Sequence, residues 1–585
     1  MGVLKDAYRW LKDAWLALLL PPLCLLLLIK RLHYGIDFTD ESFYVALAYR
    51  FAMGDQPFVD EYNLAQISGV LLVPFVSAFL LVNGGQPDGL VLFVRYLHLG
   101  FSVLVATIIF LALRRCLPWQ FSLLCALMAV VFTPLGLHSI SYITLGSGFF
   151  TVGCFLALWS VRNPQDGRLP LMAGVAHGLA VISYPTLIIP SVFSVVITTM
   201  WCPDKVRVRH AFCFYIGGLL VGVVPCVMLL RAGYQNVETA MAYVLSIGAQ
   251  GGGIEKFVNG TWTIWDNFPH KSAVVLGFIG ILVLRRKDTV WANHLLFMSV
   301  LIIPIGLITT ASLWTLNALP VETLYLVINI GLMAPVLVCL LWNRTAARDL
   351  FRLAWIPSFI AGLVVCWSSG NGARMAAIGM LPAAIVSLAL LASSLSWRNA
   401  GALERPPQDA TRGGLVIVLV LCVFLANQFV GLYRDEPIGD LDTKIRSGPY
   451  KGIFTTKTRD KFLRELSSDI GAIAKKSDKI LFFDDFPAGY LMSTLRPATP
   501  TVWLNPSSAY PTVDRTINEK YYARSGIQPD LVVRLKRIPR PDDPGLRYPE
   551  DDPVVRYVRA RYKKCLERAD YEIYVKQETL EQLAG

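Results

Sequence analysis

Apolar residues in the first three quarters of the chain fall into long runs that short charged segments separate. Most runs are about 17 to 24 residues long, the length that crosses a bilayer as a helix, whereas an outer-membrane barrel shows short alternating stretches. The pattern predicts a polytopic α-helical membrane protein. The runs cover residues 14–32, 67–83, 90–113, 118–137, 143–161, 170–200, 211–230, 272–284, 291–310, 321–341, 352–367, 374–396 and 414–432.

Basic residues concentrate in seven segments beside these runs, and the positive-inside rule assigns all seven to the cytoplasm. The run 170–200 then starts and ends inside, so we expect two short helices that turn outside at Pro185. The first run then crosses outward and the run 90–113 crosses inward. The run 67–83 between them cannot also cross, which predicts a juxtamembrane or re-entrant segment. About thirteen spans result, with the N-terminus inside and the C-terminus outside; Lys30 and Arg31 oppose the rule. The seven segments are residues 5–12, 114–115, 162–168, 205–209, 285–287, 344–352 and 398–412.

From Asp435 onward the apolar runs stop and charged residues become dense. We therefore divide the chain into a membrane domain, residues 1–434, and an extracytoplasmic soluble domain, residues 435–585, called the tail below. Alternating helical and strand patterns predict an α/β fold for the tail. The predicted elements are an amphipathic helix over 458–474, a strand over 479–483 that ends in Asp484 and Asp485, a strand over 531–535, a helix over 553–568 and a strand over 571–576.

Composition excludes several classes of protein. Only 16% of the residues are charged and the mean hydropathy is +0.50, against roughly 25% charged in soluble proteins, so the chain is not a soluble enzyme. The net charge of +12 lies mostly in short loops, which argues against nucleic acid as a partner. The cysteines show no metal-binding spacing, and no phosphate-binding loop or dinucleotide fingerprint occurs, so no nucleotide cofactor is expected.

The segment between the first two runs, residues 33–66, is acidic. Carboxylates held beside a bilayer have raised pKa values and can serve as a general base or a cation site. A second interpretation is structural: a helix from about Ser42 to Met53, with Asp40 as its N-cap and Glu41 on the positive end of its dipole. The six carboxylates are Asp37, Asp40, Glu41, Asp55, Asp60 and Glu61.

The string TDE..Y..LA...A.GD.P, which begins at Thr39 and follows the first span, resembles the start of GT-C glycosyltransferases. This superfamily includes protein O-mannosyltransferases and the aminoarabinose transferase that acts on lipid A. Further resemblance covers residues 93–117, 178–196 and 370–390. No acidic residue occurs in the stretch 138–150, where the family commonly has one, and Tyr184 replaces a basic residue of the helix pair.

The resemblance implies a GT-C fold and a membrane enzyme that moves a sugar from a polyprenyl-phosphate donor, with inversion, to a hydroxyl of a cell-envelope glycan, lipid or protein. It makes Asp40, Glu41 and Asp37 the candidate catalytic residues. Asp37 and Asp40 are also candidate ligands of a divalent cation, Mg²⁺ or Mn²⁺. The implied location is a bacterial inner or plasma membrane.

Seven further residues are candidates for binding the donor or the acceptor. Arg374, at the start of a late span, is expected to bind the leaving phosphate or, alternatively, to anchor the span at the interface. Arg95, inside an apolar span, is expected to pair with the first-loop carboxylates. His138 and Lys256 lie in predicted outer loops and are equally explained as ordinary loop residues. The full set is Arg374, Tyr44, Asp60, Glu61, His138, Arg95 and Lys256.

Two other functions remain open. A transporter or flippase of lipid-linked glycans is expected to show an internal repeat and charged residues at mid-membrane depth. An O-antigen-ligase-like enzyme is expected to have a large late outer loop rich in Arg and His. The chain shows neither pattern, because its acidic residues come first and its late loops are short. The sequence therefore favours the glycosyltransferase.

Overall fold

The computed structural model describes residues 2–63, 65–248, 258–259, 262, 319–341, 343–369, 371–396, 410–430, 432–474, 479–483, 485–504, 521–522, 527–539 and 553–576. The predicted spans 272–284 and 291–310, the basic segments 285–287 and 398–409, and the candidate Lys256 lie outside these residues.

Helices make up most of the described chain as far as Val430. Among the described residues, six helices are long and apolar enough to cross a membrane, as expected for a polytopic membrane protein. The predicted count of thirteen spans stays a prediction. The helices are α1 (Gly2–Leu32), α2 (Asp40–Ala52), α3 (Gln66–Val82), α4 (Leu90–Leu113), α5 (Trp119–Ala126), α6 (Met128–Val131), α7 (Tyr142–Arg162), α8 (Arg168–Ser183), α9 (Ile188–Trp201), α10 (Asp204–Ala232), α11 (Tyr234–Gly248), α12 (Leu319–Gly331), α13 (Ala334–Leu340), α14 (Thr345–Leu350), α15 (Ile356–Ser368), α16 (Ala376–Ser396) and α17 (Ala410–Val430).

Several basic loops meet at one end of the helical bundle, here called the basic end. At the C-terminus of α7, Arg162 pairs with Asp349 of α14 at 2.7 Å. Near the start of α10, Arg209 donates to the Pro164 carbonyl at 2.7 Å. Three of the segments that the positive-inside rule grouped together, 162–168, 205–209 and 344–352, are therefore neighbours. The tail packs on the opposite end, where α1 ends and α4 begins.

Helix α3 has both of its ends beside the tail. Before α3, the Tyr62 N–H donates to the Pro500 carbonyl at 2.8 Å. After α3, Asp88 accepts from the Gly448 N–H at 2.9 Å. A crossing helix would carry one end to the basic end, so these contacts support a juxtamembrane placement.

Two predicted runs are interrupted. The break near Pro185 is confirmed, because α8 ends at Ser183 and a 3₁₀ turn at Pro185–Leu187 precedes α9. The single helix predicted over 118–137 is wrong: its helical part ends at Val131. The reason is Pro134, which lacks an N–H and disfavours a helical residue before it; Leu135 then turns left-handed, with φ at 57°.

The tail contains a five-stranded mixed sheet, as an α/β domain requires. Its strand order is β4-β3-β5-β7-β6, with β3 parallel to β4 and β5, and β7 antiparallel to β5 and β6. A second small sheet pairs β1 with β2. The elements are β1 (Thr443–Lys444), β2 (Phe454–Thr455), α18 (Lys457–Ile473), β3 (Lys479–Phe483), α19 (Ala488–Met492), β4 (Arg496–Pro497), β5 (Leu531–Leu535), α20 (Pro553–Arg561), β6 (Tyr562–Glu567) and β7 (Tyr571–Lys576).

Sequence patterns found half of these ten tail elements. The strands β3, β5 and β7 and the amphipathic helix α18 are confirmed. The helix predicted over 553–568 is too long, since α20 ends at Arg561 and the next six residues form β6. Pairing with β7 explains why these residues form a strand, because residues 562–567 of β6 pair with residues 572–576 of β7. A local pattern does not contain that information.

Candidate functional site

The segment that joins α1 to α2 is held by Arg95 of α4. This buried guanidinium donates to both carboxylate oxygens of Glu41, at 2.7 Å and 2.6 Å. It also donates to the carbonyls of Leu32 at 2.6 Å and Gly35 at 2.7 Å. The pairing that the sequence predicted for Arg95 is present. Both residues are thereby engaged, and neither the predicted substrate-binding role of Arg95 nor the catalytic role of Glu41 is tested by this contact.

The tail holds the same segment from the other side. Asp435 accepts from the Ile36 N–H at 2.6 Å, and Arg459 of α18 donates to the Ile36 carbonyl at 2.8 Å. Arg459 also pairs with Asp435 at 3.0 Å and donates to the Arg434 carbonyl at 2.8 Å. The connection between α1 and α2 is therefore fixed by a membrane helix and by the tail together.

Asp37 is the carboxylate that caps helix α2. Its Oδ1 accepts from the backbone N–H and the hydroxyl of Thr39, at 3.0 Å and 2.7 Å, and its Oδ2 accepts from the Glu41 N–H at 2.9 Å. The interpretation of Asp40 as the N-cap is thus wrong, because the chain bends at Thr39 and the carboxylate three residues before Asp40 meets the free N–H groups.

Asp40 is the first residue of α2 and points toward the junction between α17 and the tail. Its Oδ2 accepts from Arg434 at 2.6 Å and from the Tyr433 hydroxyl at 3.0 Å, and its side chain is 13% exposed. Burial raises the pKa of Asp40 to about 6; Asp37 and Asp485 raise it further, while Arg434 and Tyr433 oppose the rise. This carboxylate is consequently more basic than an ordinary aspartate.

The second acidic group of the loop has a structural arrangement. Arg50 of α2 is fully buried and pairs with Asp55 at 2.6 Å and with Glu61 at 3.1 Å. Glu61 also accepts from the Val502 N–H of the tail at 3.0 Å. Asp60 accepts from the Gln56 N–H at 2.7 Å. These contacts account for the burial of Glu61 and fold the loop onto the tail, and the predicted role of Asp60 and Glu61 in substrate binding stays untested.

A row of tyrosines leads from Asp40 toward the start of α16. The ring of Tyr44 lies 5.7 Å from that of Tyr142, which lies 5.5 Å from that of Tyr184. Beyond the row, Thr186 and Ser368 share a hydrogen bond of 3.0 Å. The row places the candidate Tyr44 beside Tyr142, and Tyr142 beside Tyr184.

Arg374 lies in the turn before α16. It donates to the Asn371 side chain at 3.2 Å, and its Nε is buried without a hydrogen-bond partner within the described part of the chain. This turn follows Ser368, so Arg374 belongs to the segment that the tyrosine row reaches. The predicted phosphate contact is not tested.

His138 lines a small cavity between α1, α4 and the tail junction. Arg31, Arg95, Asp37 and Glu41 line the same cavity, which has a volume of about 20 Å³ and thus has room for a water molecule rather than a sugar. Burial lowers the pKa of His138, and the two arginines act in the same direction, so the imidazole is neutral. Its predicted contact with substrate stays untested.

Arg31 and Arg434 lie at the end of the bundle where the tail packs, and the positive-inside rule does not predict arginines there. Arg31 is buried and donates to the Gln428 carbonyl at 2.6 Å. Arg434 pairs with Asp40. Sequence reasoning assigned no role to Arg434, although a basic residue at the predicted outer end of the last span is an exception to the positive-inside rule and could have drawn attention to it.

The contacts of Asp37 and Asp40 do not fit a divalent cation shared by these two carboxylates. Both oxygens of Asp37 accept N–H or O–H groups, and Oδ2 of Asp40 already faces a guanidinium. Within the described residues, no group of three or more His, Cys, Asp and Glu side chains could hold a metal ion.

Neither a family model nor a curated protein sequence matches the chain. Among solved structures, it is similar to the crystal structure of the Archaeoglobus fulgidus oligosaccharyltransferase in complex with zinc and sulfate. The two chains are 12% identical, with a TM-score of 0.45, over 88% of this chain and 67% of that one. Similarity at this level does not assign an activity.

Proposed function

We propose that this protein is a membrane glycosyltransferase of the GT-C type that uses a polyprenyl-phosphate sugar as donor and a hydroxyl group as acceptor. One observation carries the proposal: Asp40, at the start of a juxtamembrane helix, is a buried carboxylate beside an arginine, at the end of the bundle where the tail packs. A base next to a cation is what hydroxyl activation and phosphate departure require.

The proposed reaction is a single displacement. Asp40 removes the proton of the acceptor hydroxyl, and the acceptor oxygen forms a bond to the anomeric carbon of the sugar. The bond from that carbon to the phosphate oxygen breaks, and its electron pair leaves on the polyprenyl phosphate. Attack opposite the leaving phosphate inverts the anomeric centre. The lipid part of the donor reaches the site from the bilayer.

Other residues of the site have supporting roles in this proposal. Asp37 fixes the start of α2, and the Glu41–Arg95 pair fixes the segment before it, so both position Asp40. Tyr44 and Arg374 are proposed to contact the sugar and the phosphate, and His138 to contact the acceptor. The tail is proposed to lie outside the cytoplasm, where the acceptor is a glycan, lipid or protein of the cell envelope.

The test is sugar transfer by purified full-length protein from a cell-derived pool of polyprenyl-phosphate sugars to lipid and glycan acceptors. We expect Asp40→Asn to lower kcat by at least about a hundredfold, because the amide cannot accept the proton. Asp166→Asn is the matched control, since Asp166 lies in an exposed loop at the basic end and accepts only from a nearby N–H.

The same assay distinguishes the alternatives. Full activity of a folded Asp40→Asn protein would eliminate Asp40 as the base and shift attention to Asp37. Loss of activity in EDTA, with recovery on adding Mg²⁺ or Mn²⁺, would show that a divalent cation is required in spite of the contacts above. Failure of the wild-type protein to transfer sugar from any donor of the pool would contradict the proposed function and favour a transporter.

A further inference from the structure

Arg434 differs from the other arginines at this end of the bundle. Four of them are almost completely buried, and each donates to at least one backbone carbonyl. Arg434 is 26% exposed; among the described residues, its guanidinium hydrogen-bonds to the side chains of Asp40 and Thr39, lies over the Tyr433 ring at 4.9 Å, and donates to no backbone carbonyl. It can therefore release its partners without disturbing the backbone. The four buried arginines are Arg31, Arg50, Arg95 and Arg459.

The backbone of Arg434 is fixed although its side chain is accessible. Its φ of 56° lies in the left-handed region, which is unfavourable for a residue with a side chain and persists where the surroundings enforce it. Two contacts enforce it: its carbonyl accepts from Arg459, and the next residue, Asp435, accepts from the Ile36 N–H. A fixed backbone and a partly exposed guanidinium suit a side chain that exchanges partners.

The ion pair also restrains Asp40. While Oδ2 accepts from Arg434 and Tyr433, that oxygen is not available to a hydroxyl proton, and the guanidinium charge lowers the basicity of the carboxylate. An anion that draws Arg434 away would remove both effects. The phosphate of a polyprenyl-phosphate donor is such an anion, and it gains negative charge as it leaves.

We infer that Arg434 binds the donor phosphate and that this contact is made in exchange for the ion pair with Asp40. Donor binding then frees the base, and an empty site keeps the base paired. The inference rests on the proposed function for its biological role. The phosphate binding itself can be measured without sugar transfer.

The experiment measures the Kd of farnesyl phosphate for the full-length protein in detergent, with farnesol as the uncharged comparison. We expect Arg434→Gln to weaken farnesyl phosphate binding by about tenfold or more and Arg434→Lys to weaken it less, since a charge-assisted contact is lost or reduced. Binding of farnesol should be equal in all variants. Arg464→Gln is the matched control, because Arg464 is 66% exposed and pairs with Asp460 on the surface of the tail.

A variant of the partner residue makes the test specific for exchange. Asp40→Asn removes the carboxylate that competes with phosphate, so the inference predicts tighter binding of farnesyl phosphate than in the wild type. A purely structural ion pair predicts equal or weaker binding. Three results would each overturn the inference: unchanged binding in Arg434→Gln, equal or weaker binding in Asp40→Asn, or displacement of farnesyl phosphate by an equal concentration of phosphatidylglycerol.

The result is independent of the transfer assay. If the phosphate exchange is observed but no donor supports transfer, the inference stands and the proposed glycosyltransferase activity fails. If transfer is observed but Arg434→Gln binds farnesyl phosphate as the wild type does, the activity stands and another cation must bind the phosphate.

Discussion

Asp40 and Glu41 are adjacent carboxylates at the start of α2 that differ in what surrounds them. Glu41 is held by a guanidinium that also donates to two backbone carbonyls, so its pairing is part of the fold. Asp40 is paired with the guanidinium of Arg434, which is partly exposed and, among the described residues, donates to no backbone carbonyl. The first arrangement fixes Glu41 in the fold, and the second suits a carboxylate that can change its partner and take up a proton.

The pH dependence of transfer should report on Asp40. Its pKa is raised to about 6, first by burial and then by Asp37 and Asp485, with Arg434 and Tyr433 opposing. The base must be unprotonated, so we expect kcat/KM to fall as the pH drops below about 6. With the donor bound and Arg434 on the phosphate, the pKa of Asp40 rises, so the acid limb of kcat should lie at a higher pH.

Rates of transfer measured from about pH 4.5 to about pH 8 cover the acid limb of kcat/KM and that of kcat. In Arg434→Gln the limb of kcat/KM should move to higher pH, because the opposing charge is gone. A limb of kcat/KM that stays in place in this variant would contradict the assignment of the limb to Asp40.

The buried pair of Glu41 and Arg95 should dominate the local stability. Arg95→Met leaves Glu41 unpaired and two carbonyls without a donor, so we expect a loss of about 3 to 5 kcal/mol, seen as a clear fall in the thermal midpoint in detergent. The double variant with Glu41→Leu should recover part of it, since no lone buried charge remains. Arg464→Met breaks a pair whose arginine is 66% exposed and should cost less, about 1 kcal/mol.

Helices α8 and α10 contact each other through glycines, which allows their backbones to approach closely. A Cβ on Gly217 would overlap the Leu171 carbonyl oxygen and lie 2.8 Å from the Val175 nitrogen, whereas a Cβ on Gly222 of the same helix meets nothing within 4 Å. We therefore expect Gly217→Ala to lower the thermal midpoint by several degrees, with a steric cost of about 1 to 3 kcal/mol. Gly222→Ala should leave it unchanged or slightly higher; equal effects would contradict this packing.

Sequence patterns predict elements well where the pattern is local. The strands β5 and β7 coincide with the predicted ranges, because each is a short apolar run between turn residues. The predictions failed where a distant partner or a backbone break determines the structure. β6 replaces the end of a predicted helix by pairing with β7. Pro134 ends the helix inside the run predicted over 118–137. Proline alone does not decide where a run is interrupted: Pro185 and Pro134 lie at breaks, whereas Pro225 and Pro382 lie inside helices.

The candidate site was predictable only in part. The acidic segment and the pairing of Arg95 follow from charge in an apolar environment, which must find a partner. The contact between Asp40 and Arg434 joins residues 394 positions apart and depends on how the tail packs on the bundle. The catalytic role expected of Asp37 stays a prediction, whereas its capping of α2 was not predicted, because the chain bends at Thr39 and exposes N–H groups that no sequence pattern located.

The orientation of the whole molecule can be tested through Cys565, which is exposed on β6 of the tail. The basic loops meet at the end opposite the tail, so the positive-inside rule places the tail outside. A membrane-impermeant maleimide should therefore label Cys565 in intact spheroplasts, and Cys565→Ser should abolish that labelling. Asp166→Cys in the Cys565→Ser protein should react only after the membrane is opened. Reversed labelling would put Asp40 in the cytoplasm, where nucleotide-activated sugars are available, and would contradict a polyprenyl-phosphate donor as the required substrate.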